Sequence, residues 1–159
     1  MIRDTRLSGV LHALLHLAEA DAPVTSEQLA RTMQTNPVVM RRLMAGLRAA
    51  GFVASEKGHG GGWVLGVSLS RITLGDIHEA LGSPALLAVG HRDEHPACLV
   101  EQAVNHALDG AYREAEALLL KRLHAVTLAA LSADFHRRLA ERGIHAKDMH
   151  HEHHSNSKT

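Results

Sequence analysis

Asn36-Pro37-Val38-Val39-Met40-Arg41-Arg42-Leu43-Met44-Ala45-Gly46-Leu47-Arg48-Ala49-Ala50-Gly51 reads as a helix with both of its ends written out. Asn36 offers a side-chain acceptor to the first free amides, and Pro37 suits the first helical position, where its missing N–H costs nothing. Gly51 supplies the stop. Val39, Leu43 and Leu47 recur every four residues and predict the buried edge, while Arg41, Arg42 and Arg48 fall elsewhere on the helix.

Two helices precede it. Leu7, Val10, Leu11, Leu14, Leu15 and Ala18 predict a helix over residues 5–20. After Ala22-Pro23, Thr25 or Ser26 caps a second one running to about Met33, with Glu27 in its first turn, where the helix dipole favours an acid. Downstream, the β-prone run from Phe52 to Lys57 and the run Trp63-Val64-Leu65 flank Gly58-His59-Gly60-Gly61-Gly62, which predicts a hairpin. Trp63 is expected to pack in the core. The fold class predicted is mainly α with a small β-hairpin wing: a winged helix-turn-helix followed by a long helix.

One more short helix is expected over Ile72–Leu81, with Ile72, Ile77 and Leu81 inward, then a break at Gly82-Ser83-Pro84 and a short apolar run, Ala85–Val89, with the look of a strand. From Val100 to Ala130 apolar residues follow steps of three and four, with Asp109-Gly110 as a dividing point. So long a stripe exceeds what a small N-terminal unit covers, and a second copy of the chain is the economical partner. A short helix over about Ala133–Arg142 ends at Gly143. The expected organisation is therefore a winged helix-turn-helix unit (1–82), a loop or linker (83–99), dimerisation helices (100–142) and a His-rich, disordered tail (143–159).

The bulk properties agree. Aromatic residues make up 3% of the chain, so Leu, Val and Ala do most of the packing, which favours helices. Net charge is zero, but Arg31, Arg41, Arg42, Arg48 and Lys57 face only Glu56 between Arg31 and His59. Local phosphate neutralisation, not total charge, sets DNA affinity. No apolar run suits a membrane span and no secretory signal opens the chain, so a cytoplasmic location is the default expectation. A lone cysteine, Cys98, precludes an intrachain disulfide. No phosphate-binding glycine motif and no nucleophile–base set argue for an enzyme.

The stretch from Thr35 to Val53, followed by Lys57-Gly58-His59-Gly60-Gly61-Gly62-Trp63, resembles the repressor family that contains IscR, NsrR and CymR. Ile72-Thr73-Leu74-Gly75-Asp76-Ile77, His95-Pro96-Ala97-Cys98 and Thr127-Leu128-Ala129-Ala130-Leu131 resemble its helix after the wing, its sensor loop and the end of its dimerisation helix. The resemblance covers about residues 3–131. It implies a homodimer on a palindromic operator, usually a repressor, with a redox, thiol-reactive, metal or other small-molecule sensor between wing and dimer helix. Cluster-bearing members use three cysteines in that loop. Here Cys98 matches the last of them and Arg92 stands where a second is expected, which excludes a three-cysteine cluster and is similar to a single-cysteine subgroup.

Candidate DNA contacts are Ser26, Asn36, Val38, Arg41, Arg42 and Arg48, with Lys57, His59, Gly60 and Gly61 of the wing. An arginine bridges two acceptors on guanine, which carries sequence information, whereas the wing glycines let backbone approach a phosphate. The same arginines would also suit a solvated helix face, and a winged helix used only for protein contacts remains the alternative. Cys98, at a helix start, is a candidate thiol switch or a small buried hydrophobe. His12 and His16, one turn apart, are candidate ligands with His91, His95 or Cys98 for zinc or an iron–sulfur cluster with non-cysteine ligands. His145, His150, His151, His153 and His154 would bind metals loosely in any protein.

Overall fold

The computed structural model describes residues 5–143. The tail histidines lie outside the described residues. Six α-helices and one antiparallel hairpin run in the order α1 Arg6–Glu19, α2 Ser26–Thr32, α3 Pro37–Ala49, β1 Val53–Glu56, β2 Gly62–Leu65, α4 Leu74–Ala80, α5 Leu99–His124 and α6 Leu128–Glu141. A 3-10 turn at Leu69–Arg71 leads into α4.

Local chemistry sets the helix starts. The Thr25 hydroxyl accepts from the Gln28 N–H while the Gln28 side chain accepts from the Thr25 N–H, a reciprocal box that closes the first turn of α2. Asn36 Oδ1 accepts from the Val38 N–H at 2.8 Å, with Pro37 at the first position of α3, as the sequence suggests. Thr73 and Asp76 form a second reciprocal box. That places Ile72 just ahead of α4 rather than inside it, although Ile72 and Ile77 are both fully buried and only Leu81 is half-buried.

One core joins Val10, Ala13, Leu14 and Leu17 of α1, Leu29 and Ala30 of α2, Met40, Met44 and Leu47 of α3, Val53, Trp63, Ile72 and Ile77, and Leu128 of α6. Two faces differ in phase from the sequence expectation. In α1 the buried line is Val10, Ala13, Leu14 and Leu17, with Leu7 and Leu11 partly buried against it. In α3 it is Met40, Met44 and Leu47, so Val39 turns outward and Leu43 lies at the edge. The spacing is the same. The flexible Met side chains fill the core side of α3, which packs against α2 and β1, where branched Val39 was expected.

The hairpin pairs Val53 with Leu65 and Glu56 with Gly62. The Val24 and Trp63 backbones add a pair of hydrogen bonds at 3.0 and 2.8 Å, so residue 24 is stitched to the wing. Gly62 permits this stitch, because a Cβ there would sit 2.7 Å from the Val24 carbonyl group. Gly62→Ala is accordingly expected to lower stability by about 1–3 kcal/mol through overpacking against backbone, read as a reduced midpoint in thermal or urea unfolding.

The C-terminal half departs most from expectation. Ala85–Val89 forms no strand; the Leu86 N–H is taken by the Glu116 carboxylate of α5 at 3.1 Å instead of a ladder partner. Asp109-Gly110 does not divide the long helix: α5 runs unbroken for 26 residues, about 39 Å at the usual rise. It stops at His124, and Thr127 caps α6 by accepting from the Ala130 N–H. The link between them is held by Leu74 N–H to Val126 C=O at 2.9 Å and Leu128 N–H to Ile72 C=O at 2.8 Å. Packing of α6 against α1 and the 3-10 turn, with Leu128 fully buried, joins α6 to the N-terminal core. At this joint Gly75 leaves room for the His124 ring, whose Nε2 lies 3.2 Å from Glu79. Burial pushes the Asp76 carboxyl up, but Thr73, through its hydroxyl and its backbone N–H, and His124 together hold it below the usual carboxylate range.

Candidate nucleic-acid interface

Helix α3 has its methionine line in the core, so its opposite side faces solvent. At 100° per residue, Val38, Arg42, Ala45 and Ala49 occupy that outward side, flanked by Arg41 and Arg48 on one edge and Val39 on the other; all are exposed. Lys57, His59 and Gly60 are exposed at the tip of the wing, and Gly61 is half-buried beneath it.

Several predicted contacts prove to be tied to neighbours. Arg41 Nη2 lies 3.1 Å from Glu27 Oε1 of α2 in an exposed ion pair. Such pairs are weak and exchange readily for a phosphate or a base. Arg48 Nη1 donates to Ser55 Oγ at 3.1 Å, which couples α3 to β1 of the wing. Arg42 makes no ion pair among the described residues and points from the centre of the outward side. Asn36 spends its carbonyl oxygen on the cap, leaving its NH₂ group as the donor. Ser26 differs from expectation. It is only 7% exposed, and its Oγ accepts from the Trp63 indole N–H at 2.8 Å, so it seats the wing from inside and is unavailable to a duplex. The sequence hides this role because residues 26 and 63 meet only in the fold. Trp63 itself packs in the core, as expected.

The loop between α4 and α5 lies along α5, held by a line of polar side chains. Gln102 donates to the Pro96 carbonyl at 2.9 Å, and Asn105 to the Asp93 carbonyl at 2.8 Å. Asp109 meets His91 Nε2 at 2.8 Å, and Glu116 accepts from the Leu86 N–H. These four positions share one face of the helix. In the sequence the apolar stripe of α5 is the stronger signal, and the polar one runs at the same spacing beside it. Cys98 ends the loop as the N-cap of α5 and is exposed. The backbone N–H groups of Glu101 and Val100 at the helix start face its sulfur and hold its pKa below the ordinary thiol value. A thiol so placed carries more thiolate at neutral pH and reacts faster.

The candidate metal ligands are dispersed. His12 and His16 meet through their Nε2 atoms at 2.9 Å on α1. His91 is engaged by Asp109, and the His95 N–H donates to Asp93. Among the described residues no group of three or more His, Cys, Asp or Glu side chains converges to hold a metal. The described donors therefore do not fit an iron or zinc site.

A helix capped into a basic outward face, a hairpin wing pinned beside it and a long helix beyond make up a fold that known proteins share. The family model described as "Rrf2: Iron-dependent Transcriptional regulator" matches residues 3–134. YwnA of Bacillus subtilis is 29% identical over 129 residues, covering 79% of this chain and 92% of its own. The HTH-type transcriptional regulator CymR of the same organism is 32% identical over 111 residues, covering 65% and 80%. A solved structure of CymR, titled as the global cysteine regulator of B. subtilis, superposes with a TM-score of 0.60 at 26% identity, covering 84% of this chain and 96% of its own. T. potens IscR shares the fold at the same TM-score and 23% identity, with 84% and 87% covered. The relatives are transcription regulators, not enzymes, and no helix among the described residues is long and apolar enough to cross a membrane. With its wing, its basic helix and 132 residues matched from position 3 to 134, the chain belongs to the Rrf2 family of transcriptional regulators.

Proposed function

We propose that the chain works as a homodimeric repressor in the cytoplasm, binding a palindromic operator through α3 and the wing and responding to a thiol-reactive signal at Cys98. The observation that carries this reading is the state of α5. None of its residues is buried, and Leu99, Val100, Val104, Leu118 and Leu119 lie exposed. Val100, Val104 and Leu118 form a line roughly opposite the polar face that holds the loop. A helix carrying that much apolar surface calls for a second copy packed on the same face, which doubles the reader and matches a two-fold operator. Each α3 would enter a major groove, with half-sites one helical turn apart, while Lys57 and His59 meet phosphates.

Cys98 sits where the strapped loop passes into the dimer helix, so adding a group to its sulfur would disturb both at once. The thiol is the sensor favoured here, since the metal donors among the described residues do not converge. Cys98→Ser is expected to keep operator affinity within about twofold, within the small effect usual for an exposed substitution, and to abolish the response to thiol reagents. A binding assay with and without an alkylating or oxidising reagent checks this; an unchanged response in the variant would remove Cys98 as the sensor. Enrichment of duplexes from random DNA, followed by a titration against salt, tests the function as a whole. Phosphate contact requires that affinity fall steeply with rising salt.

A further inference from the structure

We propose that Val38 and Val39 are specificity-determining residues that read the 5-methyl groups of thymine in each operator half-site. This rests on the DNA-binding reading above and names the base feature that the site selects. Val38 is 65% and Val39 49% exposed, on a face whose other side buries methionines. Valine is an unusual choice for an exposed helix position. It has weak helix propensity, and a solvated face favours long polar side chains. Both valines sit in the first turn of α3, the part of a recognition helix that reaches base edges. Arg41 and Arg42 follow in the next turn, and Lys57 and Arg48 lie on the wing side. That charge suits a polyanion and opposes an apolar protein partner, which would have to desolvate it.

In the major groove the one apolar feature is the thymine methyl, and side-chain methyl groups are its natural contact. Val38 shares the outward line with Arg42, one turn along. A thymine read by Val38 should therefore stand beside a guanine read by Arg42. Val39, at the edge of that line, would meet the methyl of a neighbouring step.

The test uses the full chain and the duplexes that it enriches from random DNA. Each thymine in turn is replaced by deoxyuridine, which deletes the methyl and leaves every hydrogen-bonding group. At one or two positions per half-site the wild type should lose about fourfold in affinity per methyl, the worth of one buried carbon. In Val38→Ala or Val39→Ala the matching substitution should have no further effect. Alanine is a better helix former and both positions are exposed, so the variants keep α3. A site indifferent to uracil at every thymine overturns this proposal and leaves the DNA-binding reading standing. A chain that enriches no duplex overturns both. Alanine variants that change the assembly state while keeping full uracil sensitivity would assign the valines to contacts between copies, which also overturns it.

Discussion

Val100→Glu combined with Leu118→Glu is expected to leave a folded monomer that has lost more than about a hundredfold in operator affinity. Both residues are exposed on one protomer, Leu118 to 69%, so the change removes nothing from the protomer's own core. They lie nearly five turns apart on the same line of α5, where two carboxylates from each copy would be buried against the other. Burying unpaired charge is far costlier than the apolar contact it replaces, so the seam should open. Once it opens, each half-site is bound by one reader, and the gain from tethering two readers, about a hundredfold or more, disappears. Sedimentation velocity and duplex titration on one preparation read the two effects. A double variant that stays dimeric would place the interface elsewhere.

Arg42→Ala is expected to weaken specific binding by about 1–3 kcal/mol, the worth of a two-pronged arginine–guanine contact, while the dimer and its thermal midpoint hold. The side chain is exposed and free of ion pairs among the described residues, so nothing in the folded chain depends on it. Arg41→Ala should cost less, since its guanidinium must first leave Glu27. Equal affinities for wild type and both variants would remove α3 as the reader. The distinction from a phosphate contact lies in the pattern: loss of Arg42 should flatten discrimination at one base pair, whereas loss of Lys57 should weaken all duplexes alike.

Much of this was legible in the residues. Asn36-Pro37 starts α3 where expected, Gly51 ends it, and the glycines from 58 to 62 turn the wing between its two strands. These are local signals, in which a few neighbouring residues decide the backbone. What the residues concealed is what distant segments decide. Val39 and Met40 are equally good candidates for the buried line of a four-residue repeat. Only the shape of the core that α2 and β1 present to α3 selects methionine and leaves the valines outside. Ser26 reads as an exposed helix-start hydroxyl until Trp63 arrives from 37 residues away to donate to it. Gly110 weakens a helix on propensity alone, yet α5 passes through it, with the adjoining Asp109 holding His91 and the strapped loop in place. The histidines misled in the opposite direction. The one-turn spacing of His12 and His16 suggested a metal site, and the two rings do meet, but among the described residues no third ligand joins them.

Two copies joined through α5 would present two basic readers to one duplex. The direct measurement is the mass of the complex formed with an enriched palindromic duplex, followed across a range of salt. Two chains per duplex, with affinity falling in proportion to a power of salt concentration, is the predicted result. One chain per duplex, or binding insensitive to salt, would contradict it.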